Sequence, residues 1–123
     1  MSRKFARSIF VSLGLAFVAS SASAHALLKK AIPAVGGTIS ASPSEIRISF
    51  SEGVEPRFSG ITLSSEAGAS VPVGKSSVDP NDAATLITPV SAPLKPGVYT
   101  VHWHAVATDT HRTQGSFQFT VQP

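Results

Sequence analysis

Apolar and polar residues alternate with period two along much of the chain. Glu45-Ile46-Arg47-Ile48-Ser49-Phe50 sends Ile46, Ile48 and Phe50 to one face and charged or hydroxyl side chains to the other. That spacing predicts a strand buried on one side only. Phe58 to Ser64 predicts the next strand, with Ile61 and Leu63 inward. Val71 to Val73 and Thr85 to Val90 are shorter signals of the same kind. Tyr99 to Ala105 turns Tyr99, Val101, Trp103 and Ala105 to one face, and Ser116 to Val121 does so with Phe117, Phe119 and Val121. No segment after residue 24 keeps a 3.6-residue apolar period for three turns. Turn residues separate the runs: Pro33 with Gly36-Gly37, Pro43, Gly53 to Pro56, Gly68, Asp79-Pro80-Asn81-Asp82, Pro93 to Gly97, and Gly115. Six or seven short strands in about 100 residues predict an all-β sandwich or Greek-key barrel.

The first 24 residues break this pattern. Arg3, Lys4 and Arg7 precede an apolar run of ten residues, Ile9 to Val18, which is too short to span a bilayer. The small-residue triplet Ala22-Ser23-Ala24 follows. This order predicts a secretion signal over residues 1–24, cut after Ala24, and one exported domain over residues 25–123. It also corrects the charge. Three of the ten Lys and Arg lie in the signal, and all seven acids lie beyond it, so the mature chain is near neutral. Nothing in that balance suggests nucleic acid or an anionic membrane as a partner.

Cleavage after Ala24 would make His25 the first residue. A terminal His offers a free α-amine beside its imidazole, and Nδ1 and the amine close one chelate ring on a metal ion. There is no Cys, and Met1 leaves with the signal. Any metal site must then use nitrogen and oxygen, which favours Cu(II), Ni(II) or Zn(II) over Cu(I). Asp109 and His111 stand two residues apart between the Trp103 and Phe117 strands. In an extended segment they project to the same side. With the two nitrogens of His25 they make three nitrogens and one oxygen, a set that suits tetragonal Cu(II). Asp109 also suits a turn role, capping backbone amides. Glu52 ends the Phe50-Ser51-Glu52 run and suits either a solvated turn or a hydrogen bond to a ligand imidazole. His102 and His104 share the face opposite Trp103. They read either as a His-x-His metal pair or as polar residues on the solvent side of a half-buried strand.

Taken in order, these residues resemble the CopC family of periplasmic copper-binding, copper-resistance proteins. The resemblance runs from His25-Ala26-Leu27-Leu28 and Pro33-Ala34-Val35-Gly36 through Pro43 to Glu52. It continues in Gly97-Val98-Tyr99-Thr100-Val101-His102-Trp103, Asp109-Thr110-His111 and Gly115-Ser116-Phe117-Gln118-Phe119. It implies an immunoglobulin-like Greek-key β-sandwich or barrel of about seven strands, in the periplasm. It also implies one Cu(II) per mature chain on His25, Asp109 and His111, with Glu52 beside them. The implied role is a copper carrier or buffer, not an enzyme, exchanging copper with an inner-membrane transport protein of the CopD type. Two departures stand out. There is no Met for a Cu(I) site, and His104 and Thr110 occupy positions where many members have Arg and Gly. Two other readings remain open from the residues alone. One is a copper-dependent oxidative enzyme, because a terminal His with a second His is also the copper centre of polysaccharide monooxygenases. The other is a metal-free immunoglobulin-like interaction module.

Overall fold

The structure is a computed structural model and describes residues 26–123. The expected signal segment and His25 lie outside the described residues. Within them the chain forms strands β1 (Leu28–Ile32), β2 (Thr38–Ile39), β3 (Glu45–Phe50), β4 (Gly60–Ser65), β5 (Ser70–Val71), β6 (Ser77–Asp79), β7 (Asp82–Pro89), β8 (Gly97–Val106) and β9 (Arg112–Val121). They make two sheets, ordered β1-β3-β7-β6 and β2-β9-β8-β4-β5. Every pairing is antiparallel except that of β2 with β9. No helix among the described residues is long and apolar enough to cross a membrane.

The period-two alternation becomes the core. Ile46, Ile48 and Phe50 of β3 are buried, and so are Val101 and Trp103 of β8 and Phe117 and Phe119 of β9. The two inner faces interdigitate as sandwich sheets do. Phe50 and Trp103 meet edge to face across the layers, with ring centroids 5.2 Å apart at 64°. Tyr99 stacks on Phe119 at 5.7 Å, and its hydroxyl donates to the Lys95 carbonyl at 2.6 Å. A tyrosine bonded back to the main chain just upstream is a corner device of immunoglobulin-like sandwiches. On the outer face of β3, Arg47 pairs with Glu45 and Asp79. The Asn81 amide and then the Arg47 guanidinium hold the Asp79 carboxyl below the usual carboxylate range.

The strand list differs from the sequence expectation in defined ways. Phe58 does not begin a strand. Pro56–Phe58 form a single 3-10 turn, and Phe58 is exposed. Proline sets the backbone for the first turn of such a helix and has no N–H to give a strand ladder. β7 starts three residues earlier than the Thr85 expected. Beyond β5, Val73 pairs only as an isolated bridge with Val90. β1, β2 and β6 were not expected. All three are edge strands with mixed burial, so they carry no alternation to read.

Candidate metal centre

β8 and β9 pair without a register break from Gly97 opposite Val121 to Val106 opposite Arg112. The hairpin then closes through two backbone bonds, Thr110 N–H to Ala107 O at 2.7 Å and Ala107 N–H to His111 O at 2.9 Å. This is a three-residue loop of the kind built from a type I turn and one left-handed residue. The left-handed residue is Thr110, with φ 77°. A β-branched side chain is strained there, at a cost of about 1–3 kcal/mol. Glycine would carry none of that strain. Thr110→Gly should therefore raise the unfolding free energy by about 1 kcal/mol, read by urea denaturation. An unchanged or lower midpoint would mean that the turn holds no strain.

The segment is not extended as expected from the sequence; the tight turn, with Thr110 left-handed between them, is what brings Asp109 and His111 together. One Asp109 oxygen accepts the His111 backbone N–H at 3.1 Å. The other lies 3.2 Å from His111 Nδ1. The carboxylate thus caps the loop and steadies the imidazole at once. Both side chains remain well exposed, His111 by 52% and Asp109 by 39%, so both stand at the surface where an ion can reach them.

Two further segments converge on this loop. The first follows β3. Gly53 O accepts from Thr108 N–H at 3.1 Å, and Glu55 N–H donates to Val106 O at 2.8 Å. Val54 forms an isolated bridge with Ala107. Glu52, next to Gly53, is thereby carried to the loop's flank, half-buried. The second is the start of the described chain. Ala26 is fully buried, and its carbonyl accepts from Thr113 Oγ1 at 2.8 Å. Leu27 N–H donates to Ser51 Oγ at 2.9 Å, and Ser51 N–H donates to Leu27 O at 2.8 Å. Ser51 and Thr113 were missed by sequence reasoning. Each is an ordinary hydroxyl on a strand or its edge, and only the fold shows that both clamp the same two residues.

Among the described residues no group of three His, Asp or Glu side chains gathers as a metal site. Asp109 and His111, two of the residues expected as ligands, lie side by side, and His25 lies outside the described residues. His102 and His104 stand on the outward face of β8, both exposed. The His104 ring lies over Gly60 of β4, where a side chain at residue 60 would meet its Cε1 at 3.4 Å.

The comparisons agree with this architecture. Residues 28–122 match the CopC domain family. Protein YobA of Escherichia coli K12 is 37% identical over 120 residues, covering 95% of this chain and 97% of that one. The crystal structure of CopC from Methylosinus trichosporium OB3b superposes with a TM-score of 0.75 at 28% identity, over 80% of this chain and 95% of that chain. The crystal structure of PcoC, a methionine-rich copper resistance protein from Escherichia coli, does so with a TM-score of 0.73 at 32% identity, over 80% and 100%. This chain shares that sandwich without the methionines, its single Met being residue 1. With the match spanning nearly every described residue, from the first strand to the last, the protein belongs to the CopC family.

Proposed function

We propose that the protein is a periplasmic copper carrier or buffer that holds one Cu(II) as cargo. The ligands in this reading are the α-amine and imidazole of His25, the Asp109 carboxylate and the His111 imidazole, with Glu52 beside them. The donor chemistry fits. An imidazole and a carboxylate already face each other at the exposed loop, and the absence of thiols and of described thioethers leaves a nitrogen and oxygen set. Such a set prefers Cu(II) in the divalent series.

The observation that carries the reading is the hydrogen bond from Thr113 to Ala26. Thr113 is two residues past His111, and Ala26 follows His25 directly in sequence. Consecutive Cα atoms are about 3.8 Å apart. A new N-terminus at residue 25 would then begin one residue from the contact with Thr113, itself two residues past His111. Copper-resistance relatives of the same fold support copper as the cargo. An exchange partner of the CopD type, in the inner membrane, belongs to the same proposal, as does a binding role in place of a catalytic one.

The test is Cu(II) titration followed by EPR, on the processed protein and on a version with one extra residue before His25. The extra residue converts the amine to an amide and leaves the described fold untouched. The processed form should bind one Cu(II) with a nitrogen-rich tetragonal spectrum. The extended form should bind more than about 100-fold more weakly, beyond the effect of losing an outer-sphere partner. Equal binding by both forms would remove His25 from the site.

A further inference from the structure

The Cu(II) reading leaves two imidazoles unused. His102 and His104 are alternate residues of β8 and both are paired on both sides, with β4 and with β9, so their backbone is held rigidly. Both are exposed on the outward face, while Val101, Trp103 and Ala105 between and beside them are buried. Alternate residues of a strand lie about 6.6 Å apart at Cα and project in parallel. Two imidazoles at that spacing can lean together onto one ion at metal–nitrogen distances of about 2.0–2.1 Å.

The neighbours leave room for this. Opposite His102 stand Thr62 and Ser116, and opposite His104 stand Gly60 and Gln114. No charged residue occupies any of these four paired positions. Gly60 offers no side chain beneath the His104 ring. Two open hollows flank the pair on the β9 side. One of about 340 Å³ is lined by His104, Gln114 and, at its far side, Arg112, and one of about 350 Å³ by His102, Gln114 and Ser116. Gln114 borders both.

We propose that His102 and His104, with the Gln114 carbonyl as a third donor, form a second binding site for a nitrogen-seeking divalent cation of the Zn(II) and Cu(II) class. It is separate from the Asp109–His111 loop. Three residues of strand from His104 to Ala107 span about 10 Å. The site does not rest on the copper reading of that loop, since it uses none of its residues.

The probe is Zn(II) alone, added to the processed protein while the ring signals of His102, His104 and His111 are followed by NMR. Zn(II) is diamagnetic, so shifts report local contact. The rings of His102 and His104 should move together on one isotherm, distinct from that of His111. His102→Asn should weaken the response of the His104 ring by more than about tenfold, and His104→Asn should do the same to His102, because each ligand carries the other's chelate. Both positions are exposed, so these variants should keep the fold, checked by the unchanged signal of Trp103. The proposal is overturned if neither ring moves in excess Zn(II). It is equally overturned if each ring titrates independently of the other's loss, which is the behaviour of two solvent-facing side chains. A shift confined to His111 would leave the loop site standing and remove this one.

Discussion

Replacing Gly115 by alanine should destabilise the protein by about 3 kcal/mol, the upper part of the range for overfilling a packed core. Gly115 pairs with Trp103 across β8 and β9. A Cβ there would lie 2.7 Å from Trp103 Cζ2, 2.9 Å from Cε2 and 3.1 Å from Nε1. The indole is rigid and mostly buried, and its other side is fixed by the edge-to-face contact with Phe50. Relief therefore requires moving the ring off Phe50 or opening the hairpin. For a domain of about 100 residues, each kcal/mol lowers Tm by about 4–8 °C. A double-mutant cycle isolates the cause. In a Trp103→Phe background the clashing atoms are gone, so Gly115→Ala should cost at least about 1 kcal/mol less than in the wild type. Additive losses would show that the alanine acts through strand propensity and not through the indole.

Acid should release the cargo. In the proposed site three of four donors are nitrogens that must be unprotonated to ligate, while a carboxylate stays charged down to about pH 4. A free α-amine ordinarily titrates near about pH 8, so between about pH 7.5 and 5.5 it alone costs about two decades of affinity. The apparent Cu(II) affinity should fall at least about 100-fold over that range, measured by competition with a chelator of known pH dependence. Blocking the amine with an added residue should weaken binding and also flatten the slope, because one competing proton is lost. His111→Ala should weaken binding as well, because one of the proposed ligands is lost. An affinity that stays level from about pH 8 to 5 would exclude a nitrogen-rich site altogether. The surface ion pairs of Arg47 do not enter this prediction, since they lie on the outer face of β3 and involve no residue of the loop.

Much of the sandwich was legible along the chain because burial on one face writes itself as alternation. Ile46, Ile48 and Phe50, then Tyr99, Val101, Trp103 and Ala105, then Phe117, Phe119 and Val121 all read correctly as inward positions. The edges were not legible. β1 buries Ala31 but exposes Lys29, Lys30 and Ile32, and a strand with one partner needs no regular pattern. Phe58 looked like the start of a strand from its apolarity, yet Pro56 two residues earlier commits the backbone to a turn. Within the site, Asp109 and His111 were legible as neighbours two residues apart, but the tight turn, and not an extended spacing, brings their side chains together. The strain at Thr110 was not legible, because a φ of 77° follows from the hairpin closing around it and not from threonine's own preference.

Taken alone, the sequence determined the all-β class, the inward faces of the central strands and, with no Cys in the chain, that no metal site here can use a thiolate. Each of these depends only on residue type and spacing. The tertiary structure alone decided that residue 26 is pinned beside Thr113, 87 residues away, and that Ser51 holds Leu27 from 24 residues away. It also decided that Gly53 docks on Thr108, and that the two histidines of β8 share an open face with Gln114. These are long-range contacts between side chains or backbone groups that carry no mark in their own neighbourhoods. They exist only once two sheets have packed and brought the ends of distant strands to one rim.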